Sequence, residues 1–136
     1  MKIFICSSKH FYEKVPELKN QLEKMGHEVT FPAGFDIPYI EGELKKKSVE
    51  NFIEFKKTML REQEGNIRNN DAILVLNFEK KGRKNYIGGA TFLEIYKAFE
   101  LGKKVFLINP IPENIFTDEL VGMNPVVLNG DLSRIG

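Results

Sequence analysis

At 136 residues, 42% hydrophobic and 29% charged, the chain has the length and composition of a single domain, residues 1–136, with room for one core and hardly for two. Twenty basic against 19 acidic side chains leave a net charge of +1. No global field therefore draws it to nucleic acid or an anionic membrane, and small-molecule partners are expected. The lone cysteine, Cys6, excludes an internal disulfide and a thiolate metal site.

The first segment, KIFIC (residues 2–6), is a β-branched and aromatic run ending in polar SSKH, which predicts a buried strand entering a loop. Too few apolar residues stand here for a signal-peptide core or a membrane span, so a cytoplasmic location is expected. From Tyr12 to Met25 the apolar positions Val15, Leu18, Leu22 and Met25 repeat at three and four, with Pro16 in the first turn and Gly26 just past the end, predicting a helix. HEVTFP (residues 27–32) predicts a short strand. Residues 33–47, with Gly, Pro and a KKK run, predict an exposed loop.

Ser48 can cap a helix over 48–62 whose stripe is Val49, Phe52, Ile53, Met59 and Leu60, interrupted by Phe55 and Lys56. AILVLNF (72–78) and KKVFLIN (103–109) are continuous apolar runs of the kind buried on both faces of a parallel sheet. A helix over 92–101 separates them, and PVVLN (125–129) is a last strand. The alternation predicts an α/β fold: an open parallel sheet of about five strands in a Rossmann/flavodoxin-like three-layer arrangement, with ligands at the carboxyl edge.

Three polar loops fall on that edge. CSSKH, beginning at Cys6, offers the hydroxyls of Ser7 and Ser8, the charge of Lys9 and His10, and N–H groups at the following helix start, which suits a phosphate; an ordinary polar turn explains it as well. NFEKKGRKNYIGGAT (77–91) far exceeds the ~2–6 residues usual for such connections. Length there marks a site, with Asn85, Tyr86, Gly88 and Gly89 as its wall and the double glycine admitting close approach of backbone to a ligand. NPIPENIFTDE (109–119) is the third.

Thr91-x-x-Glu94 reads two ways. It has the spacing of a capping box, in which Thr91 and Glu94 exchange hydrogen bonds at a helix start. It equally offers a carboxylate at a ligand edge, where a glutamate beneath an anomeric carbon attacks it or stabilises the oxocarbenium-like state of N-glycoside cleavage. No GxGxxG follows the first strand, and no P-loop, CxxC or HExxH occurs, so dinucleotide, NTPase and zinc readings lack support.

KIFICSS, the DAILVL strand at Asp71–Leu76, the Gly/Thr-x-x-Glu helix start and Ala98-x-x-LGKKVFLI together resemble the nucleoside 2-deoxyribosyltransferase-like proteins, which include deoxynucleoside 5'-monophosphate N-glycosidases. The resemblance covers most of the chain. It implies action on a nucleoside or nucleotide with no metal or redox cofactor, and a homodimer or higher homo-oligomer in which Asn124 reaches across an interface; a turn before a strand is the plainer account of Asn124. It puts the nucleophile at Glu94, a threonine at Thr91 and a phosphate-loop serine at Ser8, with His10 nearby. Three positions depart from the pattern. Gln63 stands where an aspartate is usual, leaving Glu62 or Glu64 as the replacement acid; Phe4 stands for a tyrosine, and Tyr96 for a glycine. GGATFLE also echoes the GG-x-G-T-x-x-E of the cytokinin-activating phosphoribohydrolases, but chain length and the first strand favour the former family. A nucleotide-binding module without turnover, and a flavodoxin-like scaffold for a protein partner, are the competing readings.

Overall fold

In a computed structural model, described for residues 1–37 and 40–136, five parallel strands form one sheet in the order β2-β1-β3-β4-β5. The strands are β1 (Lys2–Cys6), β2 (Glu28–Thr30), β3 (Ala72–Val75), β4 (Lys104–Leu107) and β5 (Val126–Val127). The helices are α1 (Val15–Lys24), α2 (Ile40–Lys47), α3 (Val49–Arg68), α4 (Gly89–Glu100) and α5 (Thr117–Met123), with 3-10 turns at Lys9–Lys14 and Leu132–Arg134. The α/β parallel architecture and the strand count agree with the sequence reading.

Period-two alternation divides the core between two layers. Ile3 and Ile5 of β1 and Leu74 of β3 pack with Val15 and Leu22 of α1 and with Leu132 and Ile135 near the C-terminus. Phe4, Cys6, Ile73 and Val75 point the other way, onto Ile67 of α3, Ile95 and Ala98 of α4 and Leu120 of α5. All four residues of β3 are buried, as its unbroken apolar run requires.

β1 has its predicted bounds, whereas the other strands are shorter than their predicted runs and the helices are differently bounded. The first helix begins as a 3-10 turn that buries Phe11, with Ser8 Oγ accepting from the His10 N–H at 3.4 Å. The predicted loop 33–47 contains α2, which buries none of its residues and therefore shows no apolar stripe. It packs on α3, with Lys56 Nζ 3.0 Å from Glu41 Oε1. Ser48 caps α3 as expected, accepting from the Asn51 N–H, but the helix runs on to Arg68 and its phase differs from the predicted stripe. Val49 and Ile53 face solvent, whereas Phe55 and Lys56 turn inward. No helix among the described residues is long and apolar enough to cross a membrane.

The order 2-1-3-4-5 reverses direction between β1 and β3, so their carboxyl ends open a crevice there. Behind it, fully buried Asn77 ties the ends of β3 and β4. Its carboxamide accepts from the Asn109 N–H at 2.9 Å and donates to the carbonyls of Asn109 and Pro110 at 2.8 and 3.1 Å. Asn77→Ala strips these groups of partners where no solvent replaces them, so a loss of about 3 kcal/mol is expected from denaturant unfolding. A loss within error would show that water fills the gap.

Candidate functional site

A cavity of about 230 Å3 occupies the crevice. Four segments build it: Ser7 to His10 and Tyr12 after β1; Pro32 to Gly34 and Ile37 after β2; Phe55, Lys56, Met59 and Gln63 of α3 with Glu41 of α2; and Tyr86, Gly88 and the first turns of α4 down to Glu94. Among the described residues no group of three or more His, Cys, Asp or Glu side chains is arranged to hold a metal ion.

Glu94 is not a helix cap. Gly88, extended at φ −85° and ψ 177°, is the N-cap of α4 and supplies no side-chain acceptor. The helix thus begins three residues earlier than the capping box required, with Thr91 in its first turn and Glu94 in its second, 5% exposed and facing the cavity. Burial pushes the Glu94 carboxyl up to about 8, against partial relief from hydrogen bonding by Cys6 and Gln63 and from the positive charge of Lys56. On the order of a tenth of it is ionised at neutral pH.

Gln63, and not Glu62 or Glu64, lines the cavity. At 100° per residue a helix that turns Gln63 inward turns Glu62 and Glu64 aside. Glu62 is exposed, and Glu64 pairs with Arg68 at 2.6 Å, which holds its carboxyl below the usual value; neither lines the cavity. The replacement-acid expectation for Glu62 and Glu64 therefore fails on helix phase. Phe55, Met59 and Gln63 recur at intervals of four, a spacing that would have identified this face in the sequence.

Cys6 is completely buried beneath the cavity and not part of its lining. As the last residue of β1 it points into the α4 layer, where burial and then the charge of Glu94 push its thiol well above the ordinary range. Phe4 lies on the same side, fully buried and without a hydroxyl to offer. Ser7, Ser8, His10, Tyr86, Gly88, Gly89 and Thr91 do line the cavity. A Cβ on Gly88 would crowd the Tyr86 side chain, with Oη at 3.0 Å, whereas one on Gly89 would meet nothing.

Asn85 and Asn124 fall outside the cavity. Each adopts the left-handed region, at φ 55° and 50°, and Asn124 ends α5 there, the turn role its residue type favours. Tyr12 was read only as part of a helix. Its hydroxyl donates to the Ala33 carbonyl at 3.2 Å, and burial followed by the negative charges of Glu94 and Glu41 pushes it up to about 12.

No protein-family model and no curated protein matches the sequence. Solved structures do resemble it. The 2-deoxyribosyltransferase of Bacillus psychrosaccharolyticus superposes with a TM-score of 0.61 at 20% identity, over 90% of this chain and 82% of that one. The CMP N-glycosidase of Clostridium botulinum does so with a TM-score of 0.56 at 14% identity, over 93% and 85%. Nearly the whole chain thus shares the fold of these two enzymes.

Proposed function

We propose that the protein acts at the N-glycosidic bond of a nucleoside or nucleoside 5'-monophosphate, hydrolysing it or transferring the sugar, with Glu94 as nucleophile. The observation that carries this reading is a single buried carboxyl opening on a cavity at the sheet's switch point, in a fold shared with a 2-deoxyribosyltransferase and a CMP N-glycosidase. At about 230 Å3 the cavity is below the ~300–1,000 Å3 of drug-sized ligand sites, a scale for one sugar and base.

In the ionised state a Glu94 oxygen bonds to the anomeric carbon as the C–N bond breaks, and its electron pair leaves with the base, which takes up a proton. Water, or a second base, then displaces the carboxylate. Lys56 and the Cys6 and Gln63 donors favour the ionised form. Phe55, Met59 and Ile37 supply an apolar wall for the base, and Ser7, Ser8 and His10 hold the 5' side. Free base, followed by chromatography over ribo- and deoxynucleosides and their 5'-monophosphates, tests this. Release that vanishes in Glu94→Ala sustains the reading.

A binding module is the second reading, favoured by Gln63, a carboxamide beside Glu94 where a second carboxylate would assist chemistry, and by the mostly neutral Glu94. It requires nucleotide binding without base release, and binding that survives Glu94→Ala.

We also propose self-association through α4, which presents Leu93, Tyr96 and Phe99 at 54%, 49% and 49% exposure on one face. Sedimentation should show a dimer or larger oligomer, and Tyr96→Lys should dissociate it at least about tenfold more readily. A monomeric native protein would defeat this.

A further inference from the structure

Beside the cavity runs a groove between the 3-10 turn Lys9–Lys14 and the connection from β3 to α4. His10 lines both. The floor is aromatic: Phe11 and Phe78 pack edge to face with centroids 5.6 Å apart. Lysines flank it. Lys14 Nζ stands 4.6 Å from the Phe78 centroid. Lys80 Nζ stands 4.4 Å from the Tyr86 centroid and 3.4 Å from its hydroxyl, and Tyr86 is itself cavity wall. Lys81 follows in a tight turn closed by paired backbone hydrogen bonds between Lys80 and Arg83 at 2.9 and 3.0 Å, with φ at 48°.

These cations are gathered without being neutralised. Glu13 and Glu79 border the same groove, yet among the described residues Lys9, Lys14, Lys80 and Lys81 enter no ion pair. Burial, and then the charges of Lys80, Lys9 and Lys81, hold the His10 pKa below its ordinary value. Like charges so placed repel one another unless an anion lies between them.

We propose that this groove binds the phosphates beyond the first of a 5'-pyrophosphate-bearing nucleotide, a nucleoside di- or triphosphate or a pyrophosphate-linked dinucleotide, whose sugar and base enter the Glu94 cavity. The proposal rests on the nucleoside reading of that cavity and extends it from monophosphates to polyphosphates. With the 5' side at Ser7, Ser8 and His10, a phosphate chain continuing past His10 would enter the groove that Lys14, Lys80 and Lys81 line. Guided by these charges, a longer phosphate chain gains charge-assisted contacts that a monophosphate lacks.

The whole protein is titrated with 5'-mono-, di- and triphosphates of the common nucleosides and deoxynucleosides and with a pyrophosphate-linked dinucleotide, at about 50 mM and about 300 mM salt. Base release is followed in the same samples. A triphosphate is expected to bind at least about tenfold tighter than its monophosphate at the lower salt, with the advantage shrinking at the higher. Lys81→Ala and the Lys80→Ala/Lys81→Ala pair should erase that advantage while leaving monophosphate affinity within about threefold. If the dinucleotide gains over the monophosphate as much as the triphosphate does, pyrophosphate is the shared determinant; a gain confined to one identifies the source. Equal affinity for mono-, di- and triphosphates, or an advantage that survives both variants, overturns the groove. Should Glu94-dependent base release accompany that equality, the cavity reading stands alone. Extra affinity without base release keeps the groove and removes the glycosidase. Failure of every nucleotide to bind overturns both.

Discussion

Base release should rise about tenfold per pH unit below an inflection near pH 8 and level off about one unit above it, because kcat/KM follows the ionised fraction of Glu94 in the free protein. The carboxyl is pushed up to about 8 by burial, and only its anion attacks carbon. Gln63→Leu or Lys56→Met removes a group that favours the anion, so each should move the inflection to higher pH. Glu94→Gln should lower kcat/KM on the order of 10^3-fold or more at the plateau. Initial rates between pH 6 and pH 9.5, about two units either side of the inflection, decide the role. A profile that falls through pH 8 would make Glu94 a proton donor instead of a nucleophile, and a flat one would remove it from the chemistry.

The same carboxyl should make the protein less stable as pH rises, and Glu94→Gln should remove that loss. A group whose folded pKa is raised binds more protons folded than unfolded between its two values. Stability conferred on the neutral form is therefore full below the ordinary 4.5 and disappears as pH climbs through about 8. At about 1.4 kcal/mol per pH unit across that window, the loss is bounded near 5 kcal/mol, with relaxation around a cavity-facing group reducing it. The amide variant should melt about 10 °C higher than the native protein at pH 9 and nearly level with it at pH 5. An equal shift at both values would trace the gain to packing. The native chain would then carry a stability cost at the residue its chemistry needs, a trade common at active sites.

Whether Gln63 completes a working site or marks a lost one turns on its contact with Glu94. A second carboxylate there would push Glu94 still further toward its neutral form, whereas a carboxamide donates to the anion. Gln63 thus compensates in part for the burial of Glu94 with no acid of its own. In that arrangement the departing base draws its proton from outside this pair, which favours bases that leave readily over those that need strong acid assistance.

Much of this was legible before folding. AILV and KVFL have no alternation, and strands without it are covered on both faces, which the parallel sheet realises. The long connection at 77–91 and its Gly-Gly pointed to the carboxyl edge, where Tyr86, Gly88, Gly89 and Thr91 line the cavity. The helix α2 was missed because it buries nothing. Its one sequence signal was polar: Glu41 and Glu43 in the first turn and Lys45 to Lys47 in the last, charges that complement the helix dipole.

The amino-acid sequence by itself determined the parallel α/β architecture and the sheet edge at which the cavity opens, because strand burial and loop length are local properties. Only the tertiary structure decided that Glu94 is buried instead of capping its helix, that Gln63 and not Glu62 or Glu64 meets it, that Cys6 lies beneath the cavity, and that Lys14, Lys80 and Lys81 border one groove with His10. Each depends on helix phase, on where a helix begins, or on segments far apart in the chain. Packing of one element on another fixes those, and no single segment carries them.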